Sequence, residues 1–79
     1  MFEAQGLIFT IHDEIKILEL LKSSNGISFR IIHIDDLPHY ALIAKIRDFQ
    51  KRGLTTNADG ILDITEQGTE YLNQLLSSN

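Results

Sequence analysis

The sequence predicts an α+β, mostly helical domain, and three features of its last third carry that prediction. An amphipathic segment closes at Lys51-Arg52-Gly53-Leu54, where Gly53 can take the left-handed conformation that stops a helix. Asn57-Ala58-Asp59-Gly60, rich in residues that accept positive φ, forms a turn between two strand-like runs, Leu54-Thr55-Thr56 and Ile61-Leu62-Asp63-Ile64. Thr65 then stands as the N-cap of a further amphipathic run. The order helix, strand, strand, helix within about thirty-five residues follows from these signals together.

Residues 1–10 mix apolar and small side chains without a helical period and read as an N-terminal arm. From Thr10, Thr10-Ile11-His12-Asp13 has the form of a capping box, and Ile11, Ile15, Leu18 and Leu21 make an apolar stripe, so a first helix should end near Ser24. Asn25-Gly26 ends it, and Ile27-Ser28-Phe29 reads as a short strand or extended link. A second helix is expected from Ser28 or Phe29 to Asp35, broken at Asp36-Leu37 because Pro38 cannot continue it.

The third helix should run from about Pro38 to Arg52, with Pro38 in its first turn and Asp36 or Leu37 as its cap. At about one hundred degrees per residue, Leu42, Ile43, Ile46 and Phe49 fall on one side, and Tyr40, Ala44, Arg47 and Lys51 on the other. The fourth helix, after Thr65, carries Tyr71, Leu72, Leu75 and Leu76, more apolar surface than one packing contact needs. Residues 11–79 therefore form one domain.

This order of elements, with the Lys51-Arg52-Gly53-Leu54 junction and the strand-to-helix junction Leu62-Asp63-Ile64-Thr65-Glu66-Gln67-Gly68, resembles the winged helix-turn-helix family over residues 11–76. The resemblance implies a three-helix core, a short β-hairpin wing and a C-terminal helix. It implies a transcription-regulator-like protein that reads duplex DNA with the helix from Pro38 to Arg52. Carried over by position, His39, Tyr40, Ala41 and Ala44 would face bases, while Arg47 and Lys51 would reach bases or phosphates. The chain departs from many DNA-binding members in its wing, which has no Lys or Arg and bears Asp59 and Asp63. Asp35 and Asp36 add negative charge before the presumed recognition helix.

Composition bounds the other readings. Seventy-nine residues, 43% hydrophobic and 23% charged, make one small globular domain with a limited core, which dimerisation would help to stabilise. The absence of cysteine excludes disulfides, thiolate zinc sites and a cysteine nucleophile. The apolar stretch from Gly6 to Ile11 is too short to span a membrane, and Met1-Phe2-Glu3 lacks a signal peptide's positive flank, so a cytoplasmic protein without membrane association is expected.

His12, His33 and His39 lack the helical spacing of a metal pair. Asp35-Asp36 and Asp59 with Asp63 belong to a helix boundary and a hairpin, so neither a metal nor another cofactor is expected. No phosphate loop, nucleophile elbow or acid-base constellation is present, and the chain is read as a non-enzyme.

The net charge of −4 opposes indiscriminate nucleic-acid binding, but its distribution is uneven. Between His39 and Leu54, Lys45, Arg47, Lys51 and Arg52 face one acid, Asp48, a local balance of +3. The basic helix favours duplex DNA as partner. Overall acidity favours the alternative, an acidic winged-helix adaptor that docks on a protein partner without binding DNA. Phe2, Leu7 and Phe9 of the arm, with Tyr71, Leu75 and Leu76 of the last helix, are the expected homodimer interface.

Overall fold

A computed structural model of the chain describes residues 11–77. It is a small α+β fold with the order α1 (Ile11–Ser24), β1 (Ile27–Ser28), α2 (His39–Lys51), β2 (Thr55–Ala58), β3 (Ile61–Ile64) and α3 (Glu66–Ser77). The three strands form one antiparallel sheet in the order β1-β3-β2. Thr55 pairs with Ile64 and Ala58 with Ile61 in the hairpin, while Ile27 pairs with Leu62 on the other side of β3. Pairing out to Ala58 leaves a two-residue turn in which Asp59 and Gly60 both have positive φ, 54° and 83°, as a tight hairpin of this hand requires. The Asn57 carboxamide oxygen accepts the Gly60 N–H at 2.8 Å and closes it.

The core lies between the helices and one face of the sheet. Ile17, Leu18 and Leu21 of α1, Leu42, Ile46 and Phe49 of α2, Leu62 of β3 and Leu72 of α3 are essentially removed from water. At about 25 cal/mol per Å² of apolar surface, this burial is the main force holding three short helices together. Ile11, expected on the buried stripe of the first helix, is instead half exposed at its first turn, and Ile17 takes an inward place.

The expected second helix, from Ser28 or Phe29 to Asp35, does not form. Residues 29–37 make one turn, with the Ile31 and Ile32 amides both donating to the Ser28 carbonyl at 3.1 Å, and then run extended to a second turn at Ile34–Leu37. The Ser28 hydroxyl takes the Arg30 N–H at 3.2 Å, a local bond that competes with helix propagation. Ile31, Ile32 and Ile34 are β-branched and crowd a helix. Asp36 has φ 69°, which no helix accommodates. Ile32 is the one residue of this segment fully sunk in the core, and two turns of helix are too few to persist on such a contact.

α2 begins one residue later than expected. Pro38 is its N-cap, not part of its first turn, and no side chain caps it, so the expected cap at Asp36 or Leu37 is absent. Pro38 holds φ −58° and ψ 142°, and its carbonyl accepts the Ala41 and Leu42 amides at 3.0 Å each. The other end is closed by backbone alone. Gly53 N–H donates to Gln50 O at 3.1 Å and Leu54 N–H to Phe49 O at 2.9 Å, a Schellman pair made possible by Gly53 at φ 78°.

Thr65 joins this helix end to the start of α3. Its hydroxyl accepts the Gly68 N–H at 2.9 Å as an N-cap and donates to Gly53 O at 2.7 Å, while its amide donates to Leu54 O at 3.0 Å. A Cβ at Gly68 would collide with the Leu54 carbonyl oxygen and come within 2.7 Å of Ile64 Cγ1, so only glycine lets α3 approach this closely. The two junction motifs singled out in the sequence are thus two halves of one hydrogen-bonded knot that fixes the hairpin against α2 and α3.

Candidate functional site

α2 has three flanks, each set by the helical period. The stripe Ala41, Lys45, Asp48, Arg52 turns toward α1 and α3. Lys45 Nζ lies 2.8 Å from Glu14 Oε2 of α1 and 3.5 Å from Asp48 Oδ2. Glu14 also accepts the Tyr71 hydroxyl of α3 at 2.7 Å, so one carboxylate ties all three helices. Arg52 pairs with Asp48 at 3.3 Å and lies over the rings of Tyr71 and Phe49, at 4.9 and 5.7 Å from their centroids. Phe49 and Tyr71 meet edge to face at 6.4 Å.

This network shifts its own titrations. Burial alone would lower the Lys45 pKa, but the hydrogen bond and field of Glu14, with Asp48 behind, outweigh it and hold Lys45 above the ordinary lysine value. Partial burial would raise Asp48. The Arg52 hydrogen bond and the Lys45 charge win, and its carboxyl lies below the ordinary range.

The outward flank carries His39, Tyr40, Ala44, Arg47 and Lys51, all exposed; Tyr40 is 67% accessible. Ala41 does not belong with them. It is 2% accessible because it sits one turn before Lys45 on the inward stripe, which corrects its expected place on the outer face. Lys45 is likewise drawn inward by Glu14 and Asp48. Of the four basic residues behind the local +3, Lys45 is drawn in, Arg52 stays exposed but is held by Asp48 beside the aromatic rings, and Arg47 and Lys51 lie on the outward stripe.

The third flank faces the sheet. Arg47, Gln50 and Lys51 line an open groove with Asn57 of β2. Gln50 and Asn57 were not singled out in the sequence. Gln50 follows Arg47 by three positions, which places both on one side of α2, but the approach of Asn57 depends on how the hairpin docks.

The expected dimer interface is rearranged. Phe2, Leu7 and Phe9, like the Thr10 end of the capping box, lie outside the described residues. Tyr71 is half-buried and bonded to Glu14, and Leu75 is 8% accessible in the core of its own chain, so neither offers a free apolar surface. Leu76, at 44%, is the member of the set that stays exposed. Among the described residues no three His, Asp or Glu side chains converge as metal ligands, and no helix is long and apolar enough to cross a membrane.

Comparison of the chain with models of known protein families, with curated proteins and with solved structures finds no match. The functional reading therefore rests on the geometry of α2 and its neighbours.

Proposed function

We propose that this chain is a small winged-helix protein that binds duplex DNA, in the manner of a transcription regulator, with α2 in the major groove and the β2–β3 hairpin beside it as the wing. The observation that carries this reading is the outward flank of α2. Arg47 and Lys51, one turn apart and both directed to solvent, continue the exposed stripe of Tyr40 and Ala44. A helix of thirteen residues with this face has the length and width to enter a major groove. Gln50 and Asn57, which line the groove beside Arg47 and Lys51, add side-chain amides that can hydrogen-bond phosphate oxygens.

The order α1, β1, α2, β2, β3, α3 and the central place of β3 in the sheet support the winged-helix assignment, with the segment 29–37, two turns joined by a short extended run, standing where that fold has a helix. The hairpin acids have structural work. Asp59 occupies a positive-φ turn position, and Asp63 accepts the following Ile64 N–H at 2.8 Å.

A protein-docking adaptor is the second reading, favoured by the net charge of −4 and by Ile31, 71% exposed beside Phe29 at 38%. A chemical-shift titration of isotope-labelled protein with a mixed-sequence duplex, at low and then moderate salt, separates the two. Shifts centred on Tyr40, Ala44, Arg47 and Lys51 that fade with salt are expected for DNA binding. Flat spectra at low salt would end that reading in favour of the adaptor.

A further inference from the structure

Between α2 and the sheet lies a cleft of about 140 Å³ whose lining separates by chemistry. Its floor is apolar: Ile46 and Leu62 are 2% accessible, Ile43 is half-buried above them, and the Phe29 ring stands at the mouth. Its polar lining is Arg47, Gln50 and Asn57, with no carboxylate among them. In a chain of net charge −4, a concavity lined by one cation and no acid favours an anion over a cation. An apolar cavity of roughly 150 Å³ accepts a benzene-sized molecule, so the floor has room for one ring and not for two.

We propose that this cleft binds a small single-ring aromatic carboxylate, its ring against Ile43, Ile46, Leu62 and Phe29 and its carboxylate on the Arg47 guanidinium. Guanidinium and carboxylate match in a planar two-point contact that a lysine could not reproduce. The amides of Gln50 and Asn57 are placed to donate to the same carboxylate or to a ring substituent beside it. Both halves of the ligand are needed: the ring alone lacks the charged contact, and a short carboxylate alone leaves the apolar floor wet. This inference does not rest on DNA binding, because the cleft and its cation stand whether or not α2 meets a duplex.

The test is a titration of the isotope-labelled protein with benzoate, with benzyl alcohol and acetate as the uncharged and the ringless probe. Benzoate should give saturable shifts at Phe29, Ile43, Leu62 and Asn57. Each control, and benzoate on Arg47→Gln, should bind at least about tenfold more weakly, the loss expected when a charged hydrogen-bond partner is removed. Arg47 is exposed and outside the core, so this variant keeps its fold, which its spectrum verifies directly. No saturable shift with benzoate up to about 20 mM, well above the millimolar affinity expected of so small a ligand, would overturn the proposal. So would equal affinity in Arg47→Gln, or shifts centred away from the cleft.

Discussion

Thr65 and Gly68 act at one junction in different ways, and substitution should separate them. Thr65→Ala removes the N-cap acceptor for Gly68 N–H and the donor to Gly53 O, and should cost about 1–2 kcal/mol in urea unfolding. Gly68→Ala pushes a methyl into the Leu54 carbonyl and Ile64, so α3 must lift off; a loss of about 3 kcal/mol is expected, larger than that of the cap. Equal effects would mean that α3 adjusts easily. Lys45 adds a pH dependence of defined sign. Its folded pKa lies above the ordinary 10.5, so its contribution is complete below that pH and is lost as pH rises through the folded value. Asp48, lowered from 3.8, contributes above that value and loses its contribution as pH falls through the folded one. Lys45→Met should therefore flatten the alkaline side of a stability profile, measured by denaturant midpoints, and leave most of the acid side in place.

At the scale of elements, what could be read in the sequence is what local chemistry decides. The end of α1 at Ser24, the Schellman end at Gly53, the Asp59-Gly60 turn and the Thr65 cap each depend on residues within a few positions of one another. Three things were out of reach because distant partners decide them. Ala41 looks small and outward until the stripe it shares with Lys45 is pulled in by Glu14 and Tyr71. Leu75 looks surplus until α3 docks on α1. Asn57 meets Arg47 and Gln50 only once the hairpin folds beside α2. The segment 29–37 departs for another reason: a helix is expected up to the Pro38 break, but Ser28, the isoleucines and Asp36 each favour something else. Native-state hydrogen exchange should report this. Amides of residues 33–36 should exchange by small local openings, whereas those of Ile46 and Phe49 should exchange only with global unfolding. Protection of 33–36 at the level of α2 would show a helix in solution that is absent here.

For the molecule as a whole, charge sets how strongly it would hold a duplex under the proposed function. The net charge is −4; Lys45 is held by Glu14 and Asp48, and Arg52 by Asp48 and the Tyr71 ring, so under the proposed reading Arg47 and Lys51 are the cations that would meet phosphates. Counterion release gives a slope of log K against log salt of about −0.9 per neutralised phosphate, so one copy should show a slope near −2. Arg47→Glu and Lys51→Glu should each lower that magnitude by about one and weaken binding. Removing the hairpin's turn charge by Asp59→Asn keeps a residue that tolerates positive φ while reducing repulsion, and should raise affinity without changing the slope. Anisotropy of a labelled duplex between about 50 and 200 mM salt measures all of these at once. A slope steeper than about −4 would require two copies on one duplex or basic side chains beyond α2. A wild-type slope retained by both reversal variants would remove α2 as the contacting helix, because no other change in either variant could restore the lost contact.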